Sequence, residues 1–398
     1  MTGNSYMLTP PPTLEKVDRK NLSQLSDDVI NGKLNKTSNR LVPKSLLPQL
    51  VKVEKQKKPK PYYTLKKNKP MKNSVLDIDH IIIDKNKNKE NENDFKLKFL
   101  TSVLNDCSNI IMITGAGIST HCGIPDFRST ENGLFKSKTQ RDNKSLFDIN
   151  SIYSNNEQTK RFNKLITTLH NLSKENNPTP FHHLIDKLSS QGRLRRIYTQ
   201  NIDALETKLP SFKLNDPTIF PHLPSTPPYP QLVQLHGSIN YTQCNKCYNI
   251  KLLNPYDFID SHDDTDLVPN CSQCQEFEEV RQIAGLRPKG VGKLRPKIVL
   301  YNELHPEGDE IANIINLDTK SKKVDCLLIV GTTLEIPGVR QLIMNLNKNL
   351  QRQRIMGKCV VIFVSNELPS NKIMKLFDDS GIDLIVHGDC QNLSDLVR

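Results

Sequence analysis

Four cysteines stand in two hooks, Cys244-x2-Cys247 and Cys271-x2-Cys274, with 23 residues between them. Two such hooks bring four thiolates together as a tetrahedron, which is the coordination structural zinc prefers. Protein sulfur fills every position, so one structural metal is expected and not a catalytic one. A nucleic-acid-binding ribbon is the other reading, but Asp257, Asp260, Asp263, Asp264 and Asp266 lie between the hooks and disfavour phosphate contact. A second candidate is the turn Gly115-Ala116-Gly117, which follows the apolar run Ile110 to Ile113. Glycines so placed let a backbone turn tightly and approach a diphosphate closely. The N–H groups of such a turn suit an anion where a helix starts next. Gly-x-Gly alone is weakly specific. Gln200-Asn201-Ile202-Asp203 and His236-Gly237 each follow a short apolar run. An imidazole with a pKa near 6.5 suits a general base near neutrality, although a lone histidine is more often a satisfied core residue.

These residues need a scaffold that delivers them together. Phe95 to Asp106 has helical spacing and leads into the strand Ile110 to Ile113. Helices are expected at Lys160 to Leu172, Phe181 to Leu188, Glu307 to Leu317, Val339 to Leu350 and Lys372 to Asp379. Strands are expected at Arg195 to Thr199, Leu232 to Leu235, Ile298 to Tyr301, Cys326 to Val330, Cys359 to Val364 and Leu384 to Val386. Apolar strands alternating with helices imply an α/β fold with a parallel, doubly wound sheet. Ligands bind at the carboxyl ends of such strands. Gly115-Ala-Gly117, Gln200-Asn201, His236, Gly331-Thr332-Thr333, Ser365-Asn366 and Gly388-Asp-Cys390 all fall at that edge. Their convergence says more than any one of them.

The 398-residue chain divides by composition. Residues 1–94 hold 19 Lys/Arg against 11 Asp/Glu, while the other 304 residues carry a net charge of only +4. This basic, Asn- and Pro-rich part reads as a disordered tail, with Val75 to Ile83 an apolar island able to dock on the core. Lys52 to Lys72 contains nine lysines, in runs that suit nuclear import, contact with the DNA backbone, or solubility alone. The segment 129–150 reads as a polar loop, either a lid or an ordinary connection. Residues 209–231 carry seven prolines and read as a surface insertion that could contact a partner. No run is long and apolar enough to span a membrane, so no membrane partner is expected. Cys107, Cys122, Cys326, Cys359 and Cys390 are scattered and read as small apolar residues or free thiols. A hydride-transfer dehydrogenase is disfavoured, because position 120 is Thr where its fingerprint needs Gly and no second strand follows promptly.

Gly115-Ala-Gly-Ile-Ser119, Gly123-Ile-Pro-Asp126-Phe127-Arg128, Thr199-Gln-Asn-Ile-Asp203, His236-Gly237, the two cysteine hooks and Gly331-Thr-Thr-Leu334 together resemble the sirtuin family. The resemblance runs from about residue 95 to the end. It implies a Rossmann-like core with an inserted helical segment near 131–190 and a zinc ribbon near 241–297. It also implies NAD as cosubstrate and removal of acyl groups from protein lysines, with release of nicotinamide and an O-acyl-ADP-ribose. By the same resemblance, His236 is the general base and Asn201 holds the ribose for attack. Gln200 would bond the ribose, and Ile202 and Asp203 would line the nicotinamide pocket. Gly115, Ala116, Gly117 and Ser119 would meet the diphosphate side, while Asp126, Phe127 and Arg128 close the site. Gly331, Thr332, Thr333, Ser365, Asn366 and Cys390 would contact ribose, phosphate or adenine. The chain looks most like the fungal nuclear branch that deacetylates histones, including the core region of histone H3. The expected partners are therefore an acetylated histone tail or core-lysine peptide and chromatin, with DNA contact by the basic tail. The expected compartment is the nucleus, with the cytoplasm as alternative. ADP-ribosyl transfer to protein, removal of longer acyl groups, and a non-catalytic chromatin-binding module are the competing readings. Where the family usually has Phe-Gly-Glu this chain has Tyr301-Asn302-Glu303, and Ile336 runs directly into Pro337. Both segments bear, by resemblance, on peptide and acyl preference.

Overall fold

The computed structural model describes residues 69–79, 92–125, 145–213, 217–218, 222–259 and 267–398. The basic runs before Lys69, the tip Asp126-Phe127-Arg128, the segment 129–144 and the four aspartates from Asp260 to Asp266 lie outside the described residues. Seven strands form one sheet in the order β1-β10-β9-β8-β2-β3-β4. They are β1 (Val75–Asp77), β2 (Ile110–Thr114), β3 (Leu194–Thr199), β4 (Leu232–Gln234), β8 (Cys326–Val330), β9 (Val360–Ser365) and β10 (Leu384–His387). All neighbours pair in parallel, so every carboxyl end opens on the same edge.

The strands are apolar on both faces because both faces are covered. On β2, Ile110 and Met112 pack in one core with residues of helices α1 (Glu92–Asp106) and α3 (Pro180–Ser190). Ile111 and Ile113 pack in the opposite core with residues of α4 (Gly308–Thr319) and α5 (Pro337–Ile355). Strand β8 repeats the division, with Cys326, Leu328 and Val330 on one side and Leu327 and Ile329 on the other. Helix α3 starts where Thr179 accepts from the His182 amide and Pro180 occupies the first turn, a position that needs no N–H donor.

A smaller unit sits on this frame. Helix α2 (Asn156–Glu175) contributes Phe162, Leu165, Ile166 and Leu169 to a core shared with Ile239, Leu253 and Ile298. Beside it, β5 (Gly237–Cys244) pairs antiparallel with β6 (Ile250–Leu252) and β7 (Leu294–Ile298) and ends at the first hook cysteine, while Cys271 and Cys274 open the helix Ser272–Ile283.

Several sequence expectations are corrected or sharpened. The segment 69–79 is folded and not part of the tail, and the described part of the apolar island from Val75 docks on the core as expected. Leu76 and Ile78 are buried, and β1 closes the sheet beside β10, so the folded part reaches back past residue 95. The inserted helical segment does not extend to residue 190, because Phe181, Leu184, Ile185 and Leu188 of α3 belong to the main core. The strand expected at Ile298 to Tyr301 lies earlier, at Leu294–Ile298, where buried and half-exposed residues alternate. The proline-rich segment 209–231 is also less superficial than expected. Leu209 and Phe212 are buried in the main core, and Leu223 and Tyr229 pack against the other one. Among the described residues, no helix is long and apolar enough to cross a membrane.

Candidate active site

A cleft of about 1010 Å³ opens at the carboxyl edge of the sheet. Its lining brings together residues from all the strand ends singled out above: Gly115, Ala116 and Gly117; Gln200, Asn201 and Ile202; His236; Gly331, Thr332 and Thr333; Ser365 and Asn366; and Cys390. Ser119 and Asp203 are not part of the lining. Both are buried beneath it, with the Asn201 side-chain amide donating to Ser119 Oγ at 3.2 Å and the Leu205 amide donating to Asp203 Oδ1 at 3.0 Å.

The glycine turn differs from the expected anion cradle. A Cβ on Gly115 would lie 2.7 Å from the Gly331 carbonyl oxygen, and one on Gly117 would lie 2.7 Å from Gly331 Cα. The glycines are thus already required by the approach of the β8 tip. The Gly115 and Gly117 amides donate to the Val330 and Gly331 carbonyls at 3.1 and 2.9 Å, so those two donors serve the fold. Two short 3-10 turns follow, Ala116–Ile118 and Thr120–Cys122, in place of an α-helix. The turn is braced from behind at one carbonyl, Ile118 O, which accepts from Thr179 Oγ1 at 3.0 Å and Gln391 Nε2 at 3.2 Å.

His236 is placed by a defined bond. Its Nδ1 lies 2.8 Å from the Gln200 carbonyl oxygen. A carbonyl only accepts, so Nδ1 carries the proton and Nε2 carries the lone pair, which is the tautomer a general base needs. Gly237 takes φ 80°, and a Cβ there would collide with the Lys297 carbonyl, so the His-Gly pair follows from local sterics. Gln200 donates from Nε2 to Thr332 Oγ1 at 2.9 Å and to the Thr114 carbonyl at 3.2 Å, which ties the β2, β3 and β8 tips together.

Two residues that line or brace the cleft escaped the sequence reading. His305 lines it, donating from Nε2 to the Leu235 carbonyl at 3.0 Å and accepting at Nδ1 from the Glu307 amide at 3.0 Å. It is therefore a neutral imidazole with both nitrogens engaged, and burial lowers its pKa. Gln391 is the other, since its Oε1 also accepts from the Phe181 amide at 2.9 Å. At the cleft rim, Asn302 adopts φ 63° and donates to Asp148 Oδ2 at 2.7 Å. Asn tolerates this left-handed conformation better than most residues, which lets it stand where the resemblance has Gly.

Beneath the floor, Glu206 is fully buried. Burial, followed by the charge of Asp203, pushes its carboxyl up to about 8 from an ordinary value of 4.5. The folded chain thus holds a proton that the unfolded chain releases between those values, and stability falls as pH rises through that window. Glu206→Gln is expected to remove this pH dependence. The melting temperatures of variant and parent should then agree near pH 4.5 and diverge, variant higher, up to pH 8. A difference independent of pH would contradict the assignment.

The hooks meet at the ribbon tip. Cys244 Sγ lies 3.7 Å from Cys274 Sγ, Cys247 Sγ lies 3.6 Å from Cys271 Sγ, and all four sulfurs are within 4.8 Å of one another. Disulfide sulfurs would be at about 2.05 Å. Tetrahedral zinc with bonds of about 2.3 Å separates its sulfurs by about 3.8 Å, so the donor set fits a structural zinc. The Lys246 and Cys247 amides point at Cys244 Sγ from 3.3 and 3.4 Å, as suits a thiolate.

The Sir2 family model matches residues 115–216 and 222–337, which span the glycine turn, the β3 tip, His236 and both hooks. The chain belongs to the Sir2 family. Among its relatives, the NAD-dependent histone deacetylase HST4 of Saccharomyces cerevisiae is 39% identical over 397 residues, covering 98% of each chain. The NAD-dependent protein deacetylase hst4 of Schizosaccharomyces pombe is 39% identical over 306 residues, 76% of this chain and 68% of the relative. A solved Sir2 structure bound to an acetylated peptide shares the fold, with a TM-score of 0.50 at 21% identity over 75% of this chain and 95% of the other. A Sir2 complex with a p53 peptide and NAD+ does so with a TM-score of 0.50 at 22% identity, covering 75% and 95%. NAD is the cosubstrate of this Sir2 chain. The neutral hydroxyl and amide side chains at three strand tips, Gln200, Asn201, Thr332, Thr333, Ser365 and Asn366, suit its ribose hydroxyls.

Proposed function

We propose that this chain is an NAD-dependent deacetylase of histone lysines, with histone H3 as its substrate, acting in the nucleus. The observation that carries the reading is the His236 tautomer, set by the Gln200 carbonyl 2.8 Å away in a cleft lined by residues of the Sir2 motifs. NAD supplies the electrophilic ribose carbon, whose bond to nicotinamide breaks and which the acetyl-lysine carbonyl oxygen captures. The chain holds the two reactants in one cleft, which makes a poor nucleophile effective. Asn201, fixed by Ser119 and backed by the β3 tip, orients the ribose. His236 Nε2 takes the ribose hydroxyl proton that must leave before acetyl transfer. Asp203, buried beneath the lining, is assigned to the nicotinamide side of the site, as are Asp126, Phe127 and Arg128 from the sequence motif.

The peptide lies along Tyr301-Asn302-Glu303 and the Ile336-Pro337 segment, both at the cleft. Glu303 is held by Arg295 at 2.6 Å and by the Leu300 amide at 3.1 Å, so this wall is rigid before substrate arrives. The basic tail adds affinity for chromatin through DNA phosphates. Lys69 is outside that role, because it is bound to Asp383 at 3.2 Å and to the Cys359 carbonyl.

A panel of acetylated and longer-acyl histone peptides, with and without NAD, tests the reading. NAD-dependent loss of one acetyl mass from H3 peptides is expected. Turnover confined to long acyl chains would overturn the acetyl assignment. ADP-ribose on protein without peptide turnover would overturn the deacetylase reading itself.

A further inference from the structure

The edge strand β1 does more than finish the sheet. It pairs with β10 through Val75 to Ile385, Leu76 to Val386 and Asp77 to His387. Strand β10 leads directly into Gly388-Asp389-Cys390, the tip that lines the cleft. Two residues beyond β1, Asp79 reaches over this tip. Its Oδ1 accepts from the Asp389 amide at 3.0 Å and from Asn392 Nδ2 at 3.0 Å. Gly388 has φ 130°, and a Cβ there would lie 2.7 Å from Asp79 Oδ1. The absence of a side chain at 388 is what admits the Asp79 carboxylate.

The clamped tip is joined to the cofactor side of the site. Cys390 Sγ lies 3.7 Å from the Gly117 carbonyl, and Gln391 bonds Ile118 O. The segment bearing Asp79 is itself anchored. Asn73 exchanges two hydrogen bonds with Ile382, at 2.7 and 2.8 Å, and Lys96 Nζ donates to the Val75 carbonyl at 3.1 Å. The Asp79 carboxylate is therefore presented on a fixed strand and bridges two points of the tip, the backbone at 389 and the side chain at 392.

We propose that Asp79 is a positioning residue for the NAD site, shaping the Cys390 tip that receives the adenosine end of the cosubstrate. This rests on the NAD-dependent reading above. Asp79 touches neither reactant and is remote from His236, so it should act on NAD affinity and leave the chemical step and peptide binding alone. Asp79 acts through the tip and not on NAD itself, so only part of the free energy of its two hydrogen bonds reaches the NAD site, a change of about 10-fold in affinity.

The test compares full-length parent, Asp79→Ala, Asp79→Asn and Asn392→Ala by NAD calorimetry and steady-state kinetics with an acetylated H3 peptide. Asp79→Ala is expected to raise the NAD Kd and KM about 10-fold, with kcat and peptide KM within about twofold of the parent. Asp79→Asn keeps an acceptor oxygen and should recover most of the affinity. Asn392→Ala should shift NAD affinity in the same direction and by less. Unchanged NAD affinity in Asp79→Ala overturns the proposal. So does a parallel fall in kcat and melting temperature in Asp79→Ala and Asn392→Ala alike, which marks a purely structural contact. Failure of the functional reading looks different, because the parent itself would then show no NAD-dependent turnover.

Discussion

Replacing His236 with alanine should lower kcat for deacetylation by about 100- to 10,000-fold, the span typical for loss of a positioned general base. The Gln200 carbonyl fixes the imidazole with Nε2 as the basic atom, and among the described residues no other histidine of the cleft duplicates it. His305 lines the same cleft, but its Nε2 is spent on the Leu235 carbonyl and its Nδ1 on the Glu307 amide. The proton it could accept has no lone pair waiting. Peptide affinity should change little, because His236 acts on the ribose hydroxyl and not on the peptide. Steady-state kinetics with peptide-binding titrations checks this. A variant with unchanged kcat would remove His236 from the chemistry and favour a module that merely binds chromatin.

Removing one zinc ligand should have the second large effect, on structure. The core at the ribbon tip consists of Cys244, Cys271, Cys274 and Leu294 with Cys247 packed against it. Almost nothing apolar remains there once the metal is lost. Structural zinc contributes about 10–16 kcal/mol in isolated zinc-finger peptides, and here it has few other contacts to share the load. Cys244→Ser is therefore expected to reduce zinc from one per chain to none and to open the ribbon to proteolysis. The damage should spread to the active site, because β5 begins at Gly237, next to His236, and the His236 carbonyl accepts from the Val299 amide at 3.0 Å. Metal analysis and limited proteolysis read both effects. A full complement of zinc with parent-like protease resistance would contradict them.

Which features the sequence disclosed follows from the range of the forces involved. Strands β2, β8 and β9 are apolar on both faces, so Ile110 to Ile113, Cys326 to Val330 and Val360 to Val364 are visible as runs. Strand β7 is covered on one face only. Leu294, Pro296 and Ile298 point inward while Arg295 and Lys297 are half-exposed, and the basic residues with a proline disguise the strand. Strand β1 has three residues and is held by its partners at Ile385 to His387, more than 300 positions away in the chain. The apolar island at Val75 marks the segment as able to dock, but no local pattern names the strand it pairs with.

The candidate site divides in the same way. Its lining residues sit at strand ends and could be collected from short motifs. The residues that brace them could not. Thr179 and Gln391 meet at Ile118 O from 61 and 273 positions away, so their partnership exists only in the folded chain. The glycine turn was legible as a site of close approach. Which neighbour approaches was not, because Gly331 reaches it through the pairing of β2 with β8. Ser119 and Asp203 carry the right motifs yet lie beneath the lining, where they support Asn201 and the turn at Leu205.

The central claim is that acetyl-lysine removal is coupled one to one to breaking the nicotinamide bond in the His236 cleft. The most direct measurement is the ratio of nicotinamide released to H3 peptide deacetylated, followed by mass spectrometry in parent and His236→Ala. A ratio of one is expected for the parent, with deacetylated peptide nearly absent in the variant. Nicotinamide released in excess of deacetylated peptide, with ADP-ribose accumulating on protein, would contradict the account.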